Sequence, residues 1–176
     1  MTAMPGRPAD TEYAPFYAGY VAHVPEDDVM AVLRAQPGEL AALTGAVTAE
    51  REGFAYATGK WTVREVMGHL GDAERVFGYR AFRFGRGDQT PLASFDENLF
   101  VANGRFDATP LHVLLDEFVY LRLANLAALA RLDAAGWHAT GTASGALVSV
   151  RALAFMMAGH VRHHVRILRE RYGLSG

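Results

Sequence analysis

The chain has 176 residues, 51% of them hydrophobic, with 17 basic against 19 acidic side chains and a net charge of -2. That is enough for one domain with a buried core. The balanced charge argues against a protein whose main work is gripping a nucleic-acid backbone. There is no cysteine, which excludes a disulfide scaffold, a cysteine-ligated zinc finger, an iron–sulfur cluster and a cysteine nucleophile.

No apolar run reaches the ~20 residues of a membrane helix. Residues 1–10 hold no hydrophobic signal segment. The expected location is the cytoplasm, without a membrane partner. Lys60 is the only lysine among many arginines, a usage that points to codon bias more than to function.

Residues 1–26 are rich in Pro, Gly and Tyr and read as an irregular arm. Residues 27–173 read as one helical domain. Val29, Leu33, Leu40 and Leu43 predict a first helix, disturbed at Pro37. Residues 44–60 read as a connection. Thr62 and Glu65 form a capping-box pattern, and Val63, Val66, Met67, Leu70, Ala73, Phe77, Ala81 and Phe84 recur at helical spacing up to Gly85 and Gly87.

Residues 88–109 read as a loop with a short helix at 96–103. Thr109–Pro110 opens a third helix, with Thr109 as its cap, whose stripe runs Leu111, Leu114, Leu115, Phe118, Leu121, Leu129 and Leu132. Residues 136–145 read as a second loop, and no strand pattern persists. Ser149 caps a fourth helix that stops at Gly173. Four amphipathic helices predict an all-α four-helix bundle. The loop at 88–109 is long for a bundle and suggests a crossover or a functional segment.

The last helix carries the chemistry. Its core stripe is Val150, Leu153, Ala154, Met157, His160, Val161, His164, Ile167 and Leu168. His160 and His164 take positions where the pattern asks for apolar residues. At a spacing of four they project from one face and can share one metal ion as neutral imidazoles. The competing reading is a pair of hydrogen-bonded core histidines. His163 lies off the stripe. His160 and His163 have chelating spacing too, but that pairing would strand His164 in the core.

A third ligand must come from another helix, and His69 is the best candidate. Gly68 and Gly71 beside it would let backbone or ligand approach. A shoulder histidine packing its ring is the alternative. Three histidines would leave coordination positions open, as in catalytic rather than structural sites. Asp72 is a candidate to orient an imidazole, whereas Glu74 reads as a solvated charge. Arg122 and Asn125 interrupt the third helix's stripe at interior spacing and are candidates for a polar ligand pocket, or for bonding buried backbone; Arg80, on His69's side of the second helix, is a candidate to join that pocket. His23, His112 and His138 read as solvated. Arg162, Arg166, Arg169 and Arg171 read as a solvated face that complements the helix dipole.

The run from Lys60 through Trp61, Thr62, Glu65, Gly68 and His69 to Leu70, with Asp72, Glu74 and Arg75, resembles the second-helix motif of the DinB/YfiT-like metalloenzyme family. Gly159-His160-Val161-Arg162-His163-His164 is similar to its fourth-helix motif. Arg86-Gly87-Asp88, Phe95-Asp96-Glu97-Asn98 and the loop 141–145 also resemble it. The likeness spans about residues 13–173.

The resemblance implies a four-helix bundle with an unusual crossover topology, often a dimer. It also implies one divalent metal, zinc or nickel, held by His69, His160 and His164. Relatives of this kind include thiol S-transferases using bacillithiol or mycothiol and thiol-dependent isomerases. The first expectation is therefore transfer of a low-molecular-weight thiol to an electrophile. The alternatives are a hydrolase that uses a metal-activated water, and a non-enzymatic metal-stabilised stress-related dimer.

Overall fold

The computed structural model describes residues 5–175. Eight α-helices and one hairpin occur there, besides three single-turn 3-10 helices: α1 (Ala18–Ala22), α2 (Val29–Thr44), α3 (Ala49–Glu52), α4 (Val63–Gly85), α5 (Glu97–Asn103), α6 (Leu111–Leu129), α7 (Ala134–His138), β1 (Thr140–Ala143), β2 (Ala146–Ser149) and α8 (Val150–Glu170). Helices α2, α4, α6 and α8 form a four-helix bundle.

The helix ends follow local chemistry. Thr62 accepts a bond from the Glu65 amide while the Glu65 carboxylate accepts one from the Thr62 amide, so two end donors are satisfied reciprocally. Asp28, Asp96, Asp133 and Ser149 cap α2, α5, α7 and α8 in the same sense.

Packing fixes the order of the four helices. Helix α4 packs on α6 and α8, and α2 packs on the same two. The bundle partners consecutive in sequence, α2 with α4 and α6 with α8, therefore lie across its diagonals. A plain up-and-down bundle sets consecutive helices side by side with short loops. Here the connections 45–62 and 130–149 must cross the bundle, whereas the loop 86–110, where the sequence suggested a crossover, joins helices that pack side by side.

Several expectations need correction. Pro37 does not break α2, which is continuous from Val29 to Thr44. Proline removes the amide that would bond the Leu33 carbonyl, and Nη1 of Arg122 donates to that carbonyl instead, at 3.2 Å. Pro110, not Thr109, is the residue before α6, with no side-chain cap. The arm is not wholly irregular, since it contains α1, which packs on α8. The connection 44–60 contains α3.

The second loop holds α7 and a hairpin. Strands β1 and β2 pair with Ala143 opposite Ala146. The turn residues Ser144 (φ 54°) and Gly145 (φ 78°) are both left-handed, as a two-residue hairpin turn of matching twist requires. The Leu92 amide donates to Thr142 and its carbonyl accepts from Ser144, at 2.9 and 3.0 Å. The long loop after α4 is thus pinned to the hairpin.

Candidate metal centre

Three histidines meet where α4 faces α8. His69 comes from α4, and His160 and His164 come from successive turns of α8. Nε2 of His160 lies 2.9 Å from Nε2 of His69 and 3.1 Å from Nε2 of His164. All three residues are buried, and one nitrogen from each lies within 4.8 Å of the others.

Burial holds the imidazoles neutral. It lowers His69 to about 4, with help from His163. It drives His160 and His164 well below the ordinary value, and the neighbouring imidazoles add to the effect. Neutral imidazole is the ligating form.

This donor set fits a divalent metal. With a metal–nitrogen distance of about 2.0–2.1 Å, ligand nitrogens bound to one ion sit roughly 3.3 Å apart, close to the separations here. Hydrogen bonding explains the cluster less well. Nε2 of His160 faces two nitrogens at once, while a neutral ring nitrogen carries either one proton or one lone pair.

The ring planes are held by aromatic neighbours. Trp61 lies 4.7 Å from the His69 ring, and Tyr20 and Phe77 lie 5.3 and 5.9 Å from His160. Beyond the nitrogens opens a cavity of about 420 Å³, walled by Tyr17, Tyr20, Trp61, Phe77 and Phe95 among others. The arm supplies part of this wall. It is pinned there by Glu12, whose carboxylate accepts from Ser149 Oγ at 2.6 Å and from Nε of Arg151 at 2.7 Å.

Gly159 makes that docking possible. A Cβ on it would lie 1.9 Å from the Tyr20 carbonyl oxygen, so α1 can touch α8 only where α8 has no side chain. Gly68 is different from what its position beside His69 suggests. The ring of Phe106, not a ligand, fills the space its missing Cβ leaves.

The other candidate residues fall elsewhere. Arg122 and Asn125 do not line the cavity. Arg122 makes two 2.8 Å bonds to Glu74, and Asn125 donates to the same carboxylate. Glu74 is therefore not a solvated charge: it is buried and paired. Arg80 donates to the Ala93 carbonyl and to Ser144 Oγ, one layer behind the wall residues Ser144 and Phe95. Asp72 sits 3.8 Å from Arg75 and bonds no imidazole among the described residues. Its carboxyl is pushed up by burial.

His163 is half-buried, lines the cavity and stacks on His23. His112 and His138 are exposed. Arg162 pairs with Glu26 at 2.7 Å. The aromatic wall was not anticipated, though the density of Tyr13, Phe16, Tyr17 and Tyr20 in a short arm was its signal. An exposed arm gains little from four aromatic rings.

No helix among the described residues is long and apolar enough to cross a membrane. No curated protein matches the chain in sequence. Among solved structures it is similar to YfiT from Bacillus subtilis, described as a probable metal-dependent hydrolase with an unusual four-helix bundle topology. The TM-score is 0.75 at 22% identity, covering 85% of this chain and 88% of that one. It is also similar to the mycothiol-dependent maleylpyruvate isomerase, with a TM-score of 0.66 at 16% identity, covering 83% of this chain and 61% of the isomerase. At these identities the likeness establishes the bundle and its crossed topology. Family membership rests on the sequence itself, whose residues 32–168 match the profile of the DinB superfamily: the chain belongs to that superfamily.

Proposed function

We propose that the protein is a divalent-metal-dependent enzyme acting on small molecules, and that it joins a low-molecular-weight thiol to an electrophile. The observation that carries the reading is the convergence of three buried, neutral imidazoles on the floor of a 420 Å³ cavity. His69, His160 and His164 would hold the ion, with zinc and nickel both suited to imidazole donors. A divalent ion there supplies positive charge that favours the deprotonated form of a thiol at neutral pH.

The chain's own residues do the rest. Trp61, Phe77 and Tyr20 exclude water and hold the imidazole planes. The chain has no cysteine, so the thiol must arrive as a cofactor. The large cavity has room for thiol and electrophile together. Among its wall residues the one carboxylate is Glu97, which is exposed. A hydrolase that relies on a carboxylate base needs it poised at the attacking water, and Glu97 is not held beside the imidazoles. The thiol dependence of the isomerase relative supports the same choice.

The test uses metal-loaded protein, bacillithiol and monochlorobimane. Metal-dependent conjugate formation, lost in His164→Ala, is the expected result. Ester or amide hydrolysis without added thiol would replace this reading with the hydrolytic one.

We also propose a homodimer. Helices α4 and α6 pack on each other, and Tyr79 and Phe82 of α4 and Tyr120 and Leu123 of α6 are all about half exposed or more. Two such faces related by a two-fold axis would cover each other.

A further inference from the structure

A second cavity, of about 250 Å³, opens against the same centre. Its wall includes Tyr56, Lys60, Trp61, Asn98, His164 and Tyr172. Trp61 and His164 belong to both cavities, so the indole stands between two chambers that share one imidazole.

The chambers differ in charge. With the histidines neutral, the large chamber's wall has Glu97 as its formal charge, and the small one has Lys60. Lys60 is the chain's only lysine. It makes no ion pair among the described residues, in which seven other ion pairs form. An unpaired ammonium on a concave wall raises the local concentration of anions. The amide of Asn98 and the hydroxyl of Tyr56 add donors on the same wall.

The partition between the chambers is tied down at its backbone. The Tyr172 hydroxyl donates to the Trp61 carbonyl. Burial pushes that phenol up to about 12, so it remains a donor across the physiological range. The backbone of the partition is thus anchored to the residues that follow α8.

We propose that the small chamber binds the carboxylate end of a small ligand whose reactive end reaches the three-histidine centre in the shared wall. Lys60 is the residue that selects the anion. The assignment of that reactive end as a thiol rests on the function proposed above; the anion chamber does not.

The test has two arms. In the first, hexanoate is titrated into the protein and Trp61 fluorescence is followed, with Trp61→Phe as the control that identifies the signal. Saturable change in wild type, weakened about fivefold in Lys60→Met and kept in Lys60→Arg, is expected for an ion pair worth about 1 kcal/mol. In the second, cobalt-loaded protein is titrated with 6-mercaptohexanoate and with 6-mercaptohexanol, reading the cobalt–thiolate absorption. The carboxylate thiol should bind about fivefold tighter in wild type and equally in Lys60→Met. Lys60 is exposed, so these variants keep the fold.

Equal binding of the two thiols with no response to hexanoate would overturn the chamber and leave thiol chemistry standing. A Lys60-dependent response to hexanoate without any thiolate band would keep the chamber and overturn the thiol reading. Silence in both arms would overturn both.

Discussion

The guanidinium of Arg122 closes on the carboxylate of Glu74 through two 2.8 Å hydrogen bonds, and neither side chain is more than 2% exposed. The pair joins α6 to α4. Nη1 of Arg122 also reaches Gln36, whose amide donates to the Ala158 carbonyl of α8. One network thus ties all four bundle helices close to the histidines. Removing one partner of a buried pair leaves an uncompensated charge. Arg122→Ala should therefore cost about 3–5 kcal/mol in urea unfolding. The paired change Arg122→Met with Glu74→Leu should cost much less.

Metal binding should depend on all three imidazoles. Metal content by inductively coupled plasma mass spectrometry should be near one ion per chain in wild type. It should collapse in His69→Ala, His160→Ala and His164→Ala. A wild-type protein that takes up no zinc or nickel would end the enzymatic reading and leave the fold unaffected.

The metal-free protein should lose stability in mild acid. His69 binds its proton only near pH 4 when folded, against 6.5 ordinarily. Between these values the unfolded chain holds more protons, so stability falls as pH falls. His160 and His164 shift in the same direction. Unfolding of the metal-free protein from pH 7 to 4 should show a steeper loss in wild type than in His160→Ala.

Glu12 anchors the arm over a different pH range. Burial raises its carboxyl, but bonds from Arg151, Ser149 and the Ala9 amide outweigh this and hold it at about 2. Its contribution is complete above its ordinary 4.5 and is lost as pH falls toward 2. The group is partly solvated, so Glu12→Gln should cost only about 1 kcal/mol at neutral pH. Thermal unfolding of variant and wild type should converge only as pH approaches about 2.

Gly159→Ala should displace α1, because the new methyl group would meet the Tyr20 carbonyl oxygen. Backbone cannot give way as a flexible side chain can. Destabilisation of about 1–3 kcal/mol is expected, together with faster proteolysis near Tyr20. For self-association, Leu123→Glu should shift a dimer to monomer in light scattering and leave metal content unchanged.

Much of this protein was legible in its residues taken in order. The apolar periods, the Thr62–Glu65 capping box and Ser149 determined the long helices, because these are local effects within a few turns. The spacing of His160 and His164 on an apolar stripe marked the centre for the same reason. Tertiary structure decided what depends on distant neighbours. Glu74 and Arg122 are 48 residues apart, and only packing shows that one neutralises the other in the core. Pro37 stays inside a helix because Arg122, from another helix, bonds the carbonyl that proline leaves free. The hairpin at 140–149 carried a Ser144–Gly145 turn signal, but its strands are too short for alternation to declare them. The two chambers on either side of Trp61 exist only because the arm, the connections 45–62 and 86–96, and the helices α4, α5 and α8 converge there.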